Sequence, residues 1–131
     1  QKLIDELGMS EHIQMLGFRQ DVPQLMKGFD ILCLTSQNEG MPNVILEGMA
    51  AGKPIVATRV GAVPELLEDG VNGHIIEPDD SDMFAHRVHR LLEHPELRLK
   101  MGEANLKKVH ALYDCQRIAA RVETLYEGYL S

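Results

Sequence analysis

The feature that most constrains this chain is a recurring order: a short apolar run, then a stretch with helical spacing, with Gly or Pro at the joins. "DILCLTS" is a continuous apolar run of strand length, the pattern of a strand covered on both faces. "KPIVATRV" is a second apolar strand and "GHIIEP" a third, shorter one, while "HIQMLGF" alternates and reads as a short strand ending at Gly17. Between them, "QKLIDELGM" places Leu3, Ile4 and Leu7 on one helical face before Gly8. "DVPQLMKGF" offers Asp21 as N-cap, Pro23 in the first turn and Gly28 after the last. Further helices are expected from about Pro42 to Ala51, closed by Gly52, and over "VPELLEDG", ending at Gly70. Beyond Asp80 only helices are predicted, at about Asp82 to Leu92, Pro95 to Leu112 and Asp114 to Tyr129.

Four strand–helix alternations in the first eighty residues predict an α/β fold: a parallel sheet with helices on both faces, right-handed crossovers and a helical carboxyl-terminal extension. At 131 residues the chain is a single domain, 1–131, large enough for a real core but small for an enzyme that handles two substrates. It begins without Met, directly on a helical pattern, which predicts a piece of a longer protein.

The net charge of −7 bears on partners. Seven acids and no Lys or Arg lie between Glu65 and Asp82, the reverse of a polynucleotide-binding surface, so no nucleic-acid partner is expected. Small anions stay open, because the free N–H groups at a helix start bind phosphate whatever the overall charge. Cys33 and Cys115 lie far apart and are expected to be reduced in a cytoplasmic setting, Cys33 in the core of its apolar run. No apolar stretch approaches the roughly 18 residues of a membrane span.

In parallel sheets the ligand crevice lies beyond the carboxyl ends of the strands, where each strand feeds a helix N-terminus. "NEGMPNVILEGMAAGKP" lies at such a junction, after "DILCLTS". It holds Glu39 in the loop and Glu47 on the helix, with seven residues between them. With Pro42 as first helical residue, the N–H groups of Met41 and Asn43, and of Gly40 ahead of them, point out of the helix start without intrahelical partners. Gly40 lets backbone approach a ligand, and Glu39 accepts charge-assisted hydrogen bonds from hydroxyls. Two carboxylates either side of a donor-rich helix start suit a ligand with hydroxyls at both ends and phosphate in the middle, as in a nucleotide-sugar. The competing reading makes Glu39 a dipole partner of the helix and Glu47 a solvent-facing residue. "VGAVPELL" repeats the theme, with Gly61 in the turn and Pro64 opening the helix; a plain turn and a site-lining role are equally open there.

The stretch "NEGMPNVILEGMAAGKPIVATRVGAVPELLEDGVNG" resembles the signature region of the retaining, nucleotide-sugar-dependent glycosyltransferases of family 4, with the GT-B fold and an E-x₇-E hallmark. The likeness continues upstream through "VPQLMKGFDILCLTSQNEG" and downstream into "LLEHPELRLKMGEAN", so it covers nearly the whole chain. It implies a Rossmann-like lobe of a GT-B enzyme, the carboxyl-terminal, donor-binding one, whose parent transfers a hexosyl group from a nucleotide diphosphate sugar to a sugar or lipid-linked acceptor. The resemblance also implies the roles: Glu39 at the transferred sugar as the catalytic-site acid; Gly40, Met41, Pro42, Asn43 and Val44 as the donor-binding helix start; Glu47 at the ribose; Phe18 and Arg19 near the nucleobase. It implies no metal and no cofactor. The family's Gly-Arg and Lys clamp on the diphosphate and its amino-terminal acceptor lobe are absent from this chain, so the chain alone is expected to be inactive. "VGAVPE" carries Ala62 where a second Gly is common. A non-catalytic nucleotide-sugar-binding module and a GT-B sugar-nucleotide epimerase lobe are the alternative readings.

Other clusters read as structure. His86, His89 and His94 lack an evident third ligand arrangement and read as a polar helix face. Asp79, Asp80 and Asp82 lack the Gly and closing Glu of a calcium loop and read as helix capping. Lys107, Lys108, Arg117 and Arg121 read as a solvated face, with peripheral contact at the inner face of a membrane in the parent as the alternative.

Overall fold

The computed structural model describes residues 1–113 together with Ala119 and Glu123; the helix expected over 114–129, with Cys115, Arg117 and Arg121, lies outside the described residues. Three strands, β1 (Leu32–Leu34), β2 (Ile55–Thr58) and β3 (Gly73–Ile76), pair in parallel in the order β1-β2-β3. Helices α1 (Lys2–Glu6), α2 (Val22–Gly28), α3 (Asn43–Ala50), α4 (Val63–Leu66), α5 (Ser81–Glu93) and α6 (Pro95–Leu112) complete the described fold. The α/β class and the parallel sheet are as the sequence predicts.

The strand register sorts side chains by face, because successive residues of a strand point to opposite sides. Leu32, Ile55 and Ala57 join Ile45 and Met49 of α3, Met26 of α2 and Val63 and Leu66 of α4 in one core. Ile45 and Met49 lie four apart, one turn along α3, and both are fully buried. Burying each is worth about 2 kcal/mol. Cys33, Val56 and His74 form one row on the opposite face, where Val56 packs with Leu91 of α5 and Met101 of α6.

α6 closes the amino-terminal ends of the strands. Asn105, fully buried, donates through Nδ2 to Lys53 O and to Asn72 O, both at 2.7 Å, and accepts from Asn72 Nδ2 at 2.9 Å. Lys53 and Asn72 lie just ahead of β2 and β3, so one amide ties the helix to both strand entrances. Three residues earlier, Gly102 packs on the backbone of Gly52 in the turn after α3; a Cβ at Gly102 would stand 3.0 Å from Gly52 C and closer still to its oxygen. Backbone meets backbone here, and α3 and α6 share one rigid contact.

Two expectations fail. The alternating segment 12–17 forms no strand: its residues are exposed, a turn bonds His12 N–H and Ile13 N–H to Met9 O, and no strand of the described sheet lies beside it. A strand without a neighbour leaves its N–H and C=O groups to water, so alternation alone does not hold it extended. Cys33 is exposed rather than in the core. α5 packs chiefly over β2 and β3, and among the described residues a cleft lined by Ile31, Val88 and Leu92 stays open beside Cys33 on that side of β1. α4 is also shorter than expected, ending at Leu66, with Gly70 in a separate turn at φ 80°.

Candidate functional site

Three loops meet at the carboxyl ends of the strands: 35–42 after β1, 59–62 after β2 and 77–80 after β3. The first carries the E-x₇-E candidates. Pro42 has ψ 95° and is the N-cap of α3, so the helix begins at Asn43, one residue later than expected. That leaves the N–H groups of Asn43 and Val44 at the free end of the helix. Among the described residues, the N–H groups of Gly40 and Met41 donate to no protein acceptor. Gly40, Met41 and Asn43 are exposed, and Pro42 is buried beneath them. The result is a run of backbone donors at the positive end of the helix dipole, a place where a phosphate or a sugar hydroxyl is favoured.

Glu39 is half-buried, and its Oε1 accepts the Ser36 hydroxyl at 2.6 Å. One carboxylate oxygen is therefore fixed and the other is left for a ligand hydroxyl. The Ser36 carbonyl in turn accepts the Thr58 hydroxyl at 2.6 Å, and Thr58 is 5% exposed at the end of β2. Ser36 and Thr58 were not among the predicted site residues. The polar end of each otherwise apolar strand, "LTS" and "VAT", is the signal that marks them.

Glu47 is exposed in the second turn of α3 and lines a separate cleft of about 200 Å³ with Pro23, Lys27, Ala50 and Ala51. Glu39 does not line that cleft, so a ligand reaching both acids runs along the start of α3 from the sheet end toward α2. Phe18 is 91% exposed ahead of α2. Arg19 is paired with Asp21, Nε to Oδ1 at 2.8 Å, and this pairing holds the Asp21 carboxyl below its ordinary range. Asp21 therefore serves Arg19 instead of capping α2 with its side chain.

On the α5 side of the strand ends lies a cleft of about 310 Å³ lined by Thr35, Thr58, Glu77, Asp79, Ser81 and Phe84 among others. Asp80 caps α5, accepting Met83 N–H at 2.9 Å, and Asp79 holds φ 65° with an oxygen 3.4 Å from Gln37 Nε2. The capping role read for these acids is observed for Asp80; Asp82 lies within the first turn of α5, and Asp79 contacts Gln37 instead. His89 and His94 sit 3.1 and 2.9 Å from Glu93 and Glu96, and Lys108 Nζ donates to Glu65 O at 3.1 Å. No described helix is long and apolar enough to cross a membrane.

His74, 2% exposed in β3, contacts Asp69 through Nδ1 at 3.2 Å, while its Nε2 and the nearby Arg87 Nε have no protein partner. Burial, with Arg87 and Arg90 adding to it against the pull of Asp69, holds this imidazole below its ordinary value.

Parallel strands delivering a loop and an exposed helix start at one end of the sheet form a crevice of the kind found at strand ends in α/β folds, and the fold is that of one lobe of the GT-B glycosyltransferases. Residues 1–108 match the family described as Glycosyl transferases group 1, and the chain belongs to that family. Among relatives, N-acetyl-alpha-D-glucosaminyl L-malate synthase of Bacillus anthracis is 32% identical over 98% of this chain and 34% of its own length. Anabaena Alr3699/HepE, crystallised in complex with UDP-glucose, is 33% identical with a TM-score of 0.89 over 96% of this chain and 35% of that one. The carboxyl-terminal domain of a glycosyl transferase group 1 family protein (LpcC) of Francisella tularensis is 26% identical, with a TM-score of 0.76 over 87% of this chain and 60% of that one. The chain thus spans about a third of the length of the first two.

Proposed function

We propose that this chain is the carboxyl-terminal, donor-binding lobe of a retaining family 4 glycosyltransferase that moves a hexosyl group from a nucleotide diphosphate sugar to a sugar or lipid-linked acceptor. The observation that carries the reading is the start of α3: backbone donors at Gly40, Met41 and Asn43 beside a carboxylate, Glu39, with one oxygen already held by Ser36. The complex of the related Alr3699/HepE with UDP-glucose supports the ligand class.

The chemistry follows from charge. Breaking the bond between sugar and diphosphate places negative charge on the leaving phosphate, and fixed N–H donors at a helix start stabilise that charge without reorganising. Glu39 accepts hydrogen bonds from the sugar's hydroxyls and holds its orientation; it positions the sugar and is not the nucleophile. The acceptor attacks on the face from which diphosphate leaves, which gives retention. Glu47 takes the ribose hydroxyls, with Phe18 and Arg19 toward the nucleobase. In the parent an amino-terminal lobe supplies the acceptor site and the family's Gly-Arg and Lys clamp holds the diphosphate; neither is among these 131 residues, so this chain alone turns over little or no substrate. The reading assigns no metal to transfer, and places the parent in the cytoplasm in polysaccharide or glycolipid synthesis, at the inner face of the membrane when the acceptor is lipid-linked.

Calorimetric titration of the chain with UDP-, GDP- and ADP-sugars tests the reading. Saturable binding of one nucleotide series, weakened in Glu47→Ala, is expected. Binding that ignores Glu47→Ala removes the ribose assignment.

A further inference from the structure

Building on the donor-lobe reading, we propose that the exit of β2 is the template that aims the donors of the site, with Gly61, the Ala62 N–H and the Thr58 hydroxyl as positioning groups. Ala62 N–H donates to Gly40 O at 2.9 Å. Gly61 lies directly against the preceding carbonyl: a Cβ there would stand 2.7 Å from Glu39 C, nearer still to Glu39 O, and 2.6 Å from Gly40 O. The oxygen is the closer atom, so the Glu39 carbonyl points at Gly61.

The direction of two carbonyls fixes the direction of two donors. The peptide bonds are trans, and in a planar trans peptide the C=O and the following N–H point opposite ways. With Glu39 C=O turned onto Gly61, Gly40 N–H faces away from β2. With Gly40 C=O bonded to Ala62, Met41 N–H does the same. These are the two N–H groups that donate to no protein acceptor among the described residues. Thr58 anchors the start of the same loop through Ser36 O, and Ser36 in turn holds Glu39. Both the acid and the amides of the α3 start therefore take their aim from β2 rather than from their own strand. This resolves the two readings of "VGAVPELL": Gly61 neither makes a plain turn nor lines the site, but shapes the loop that does.

Gly61 also has φ 48°, where a side chain is strained for reasons unrelated to the site, so the test needs a matched control. Gly70 supplies it: its φ is 80°, with nothing within 4 Å of a Cβ. Gly61→Ala and Gly70→Ala thus share the backbone strain, and only the first pushes on the Glu39 loop. In ¹H–¹⁵N spectra of the free chain, Gly61→Ala is expected to move the Gly40 and Met41 amide signals while Gly70→Ala leaves them in place. UDP-glucose affinity is expected to fall about tenfold to hundredfold in Gly61→Ala, as for loss of a hydrogen bond to a charged group, and to stay within about twofold in Gly70→Ala. A folded Gly61→Ala with unmoved amide signals and unchanged affinity overturns the proposal. If Gly61→Ala does not fold, Thr58→Val decides, since it removes the bond to Ser36 without adding bulk: displaced Gly40 and Met41 amide signals uphold the template and unmoved signals overturn it. Whether the wild-type chain binds UDP-glucose bears on the donor-lobe reading and its nucleotide alone; the amide signals of the free chain decide the positioning role.

Discussion

Replacing Asn105 by Leu keeps the branch at Cγ but removes the amide, and its methyl groups cannot approach the two carbonyl oxygens to 2.7 Å, so crowding adds to the loss of hydrogen bonds. Three bonds vanish, to Lys53 O, Asn72 O and Asn72 Nδ2. Asn72 Nδ2 keeps Leu66 O at 3.2 Å, but the Lys53 and Asn72 carbonyls lose a buried donor. Each bond is worth about 1 kcal/mol net, and each orphaned group adds about 1 kcal/mol or more. The sum is about 5 kcal/mol, against a total of about 5–15 kcal/mol for a domain. Followed by circular dichroism in urea, with a slope of about 1–2 kcal/mol/M, the midpoint should fall by about 2.5–5 M. A midpoint within about 0.5 M of wild type, at unchanged slope, would show that α6 is not held by this amide.

Three further outcomes are expected. His74 is held below its ordinary pKa of 6.5, so it favours the folded state fully above that pH; stability then declines as pH falls below 6.5, and His74→Gln should flatten the decline in urea titrations between about pH 6.5 and 5. In the intact parent, Glu39→Gln keeps the shape and the acceptor oxygen but removes the charge, and transfer should drop about tenfold to hundredfold in a coupled assay of nucleoside diphosphate release; unchanged transfer would falsify its role at the sugar. The same assay with EDTA should run at the untreated rate, and loss of activity restored by a divalent cation would assign the diphosphate's charge to a metal instead.

What could be read in the sequence were features whose cause is local. Pro95 starts α6 and the predicted bounds Pro95–Leu112 are those observed, because a proline at the first turn and a sustained helical spacing decide the matter within the segment. β2 and β3 form where apolar runs predict them, and the loop that carries Glu39 and leads into α3 sits at a strand end as the strand–helix order requires. The misses depend on distant partners. The alternation of 12–17 describes a strand's faces but does not supply the neighbour that would pair with it. Cys33 sits in an apolar run, yet its cover depends on how far α5 extends over β1. Asn105, polar in mid-helix, carries no local signal of its burial, because its partners Lys53 and Asn72 are 52 and 33 residues away. Gly61 was legible as a turn; that its missing side chain makes room for the Glu39 carbonyl is a fact of two loops meeting.

The contact of Gly102 on Gly52 sets bare backbone of α6 against the exit of α3, with the Leu106 side chain closing over Gly52 and Asn105 bonded to Lys53 O beside it. Backbone in contact cannot change rotamer to absorb a displacement, and close-packed interiors transmit strain. A side chain at Gly102 therefore displaces the exit of α3, the far end of the helix whose start carries the candidate site.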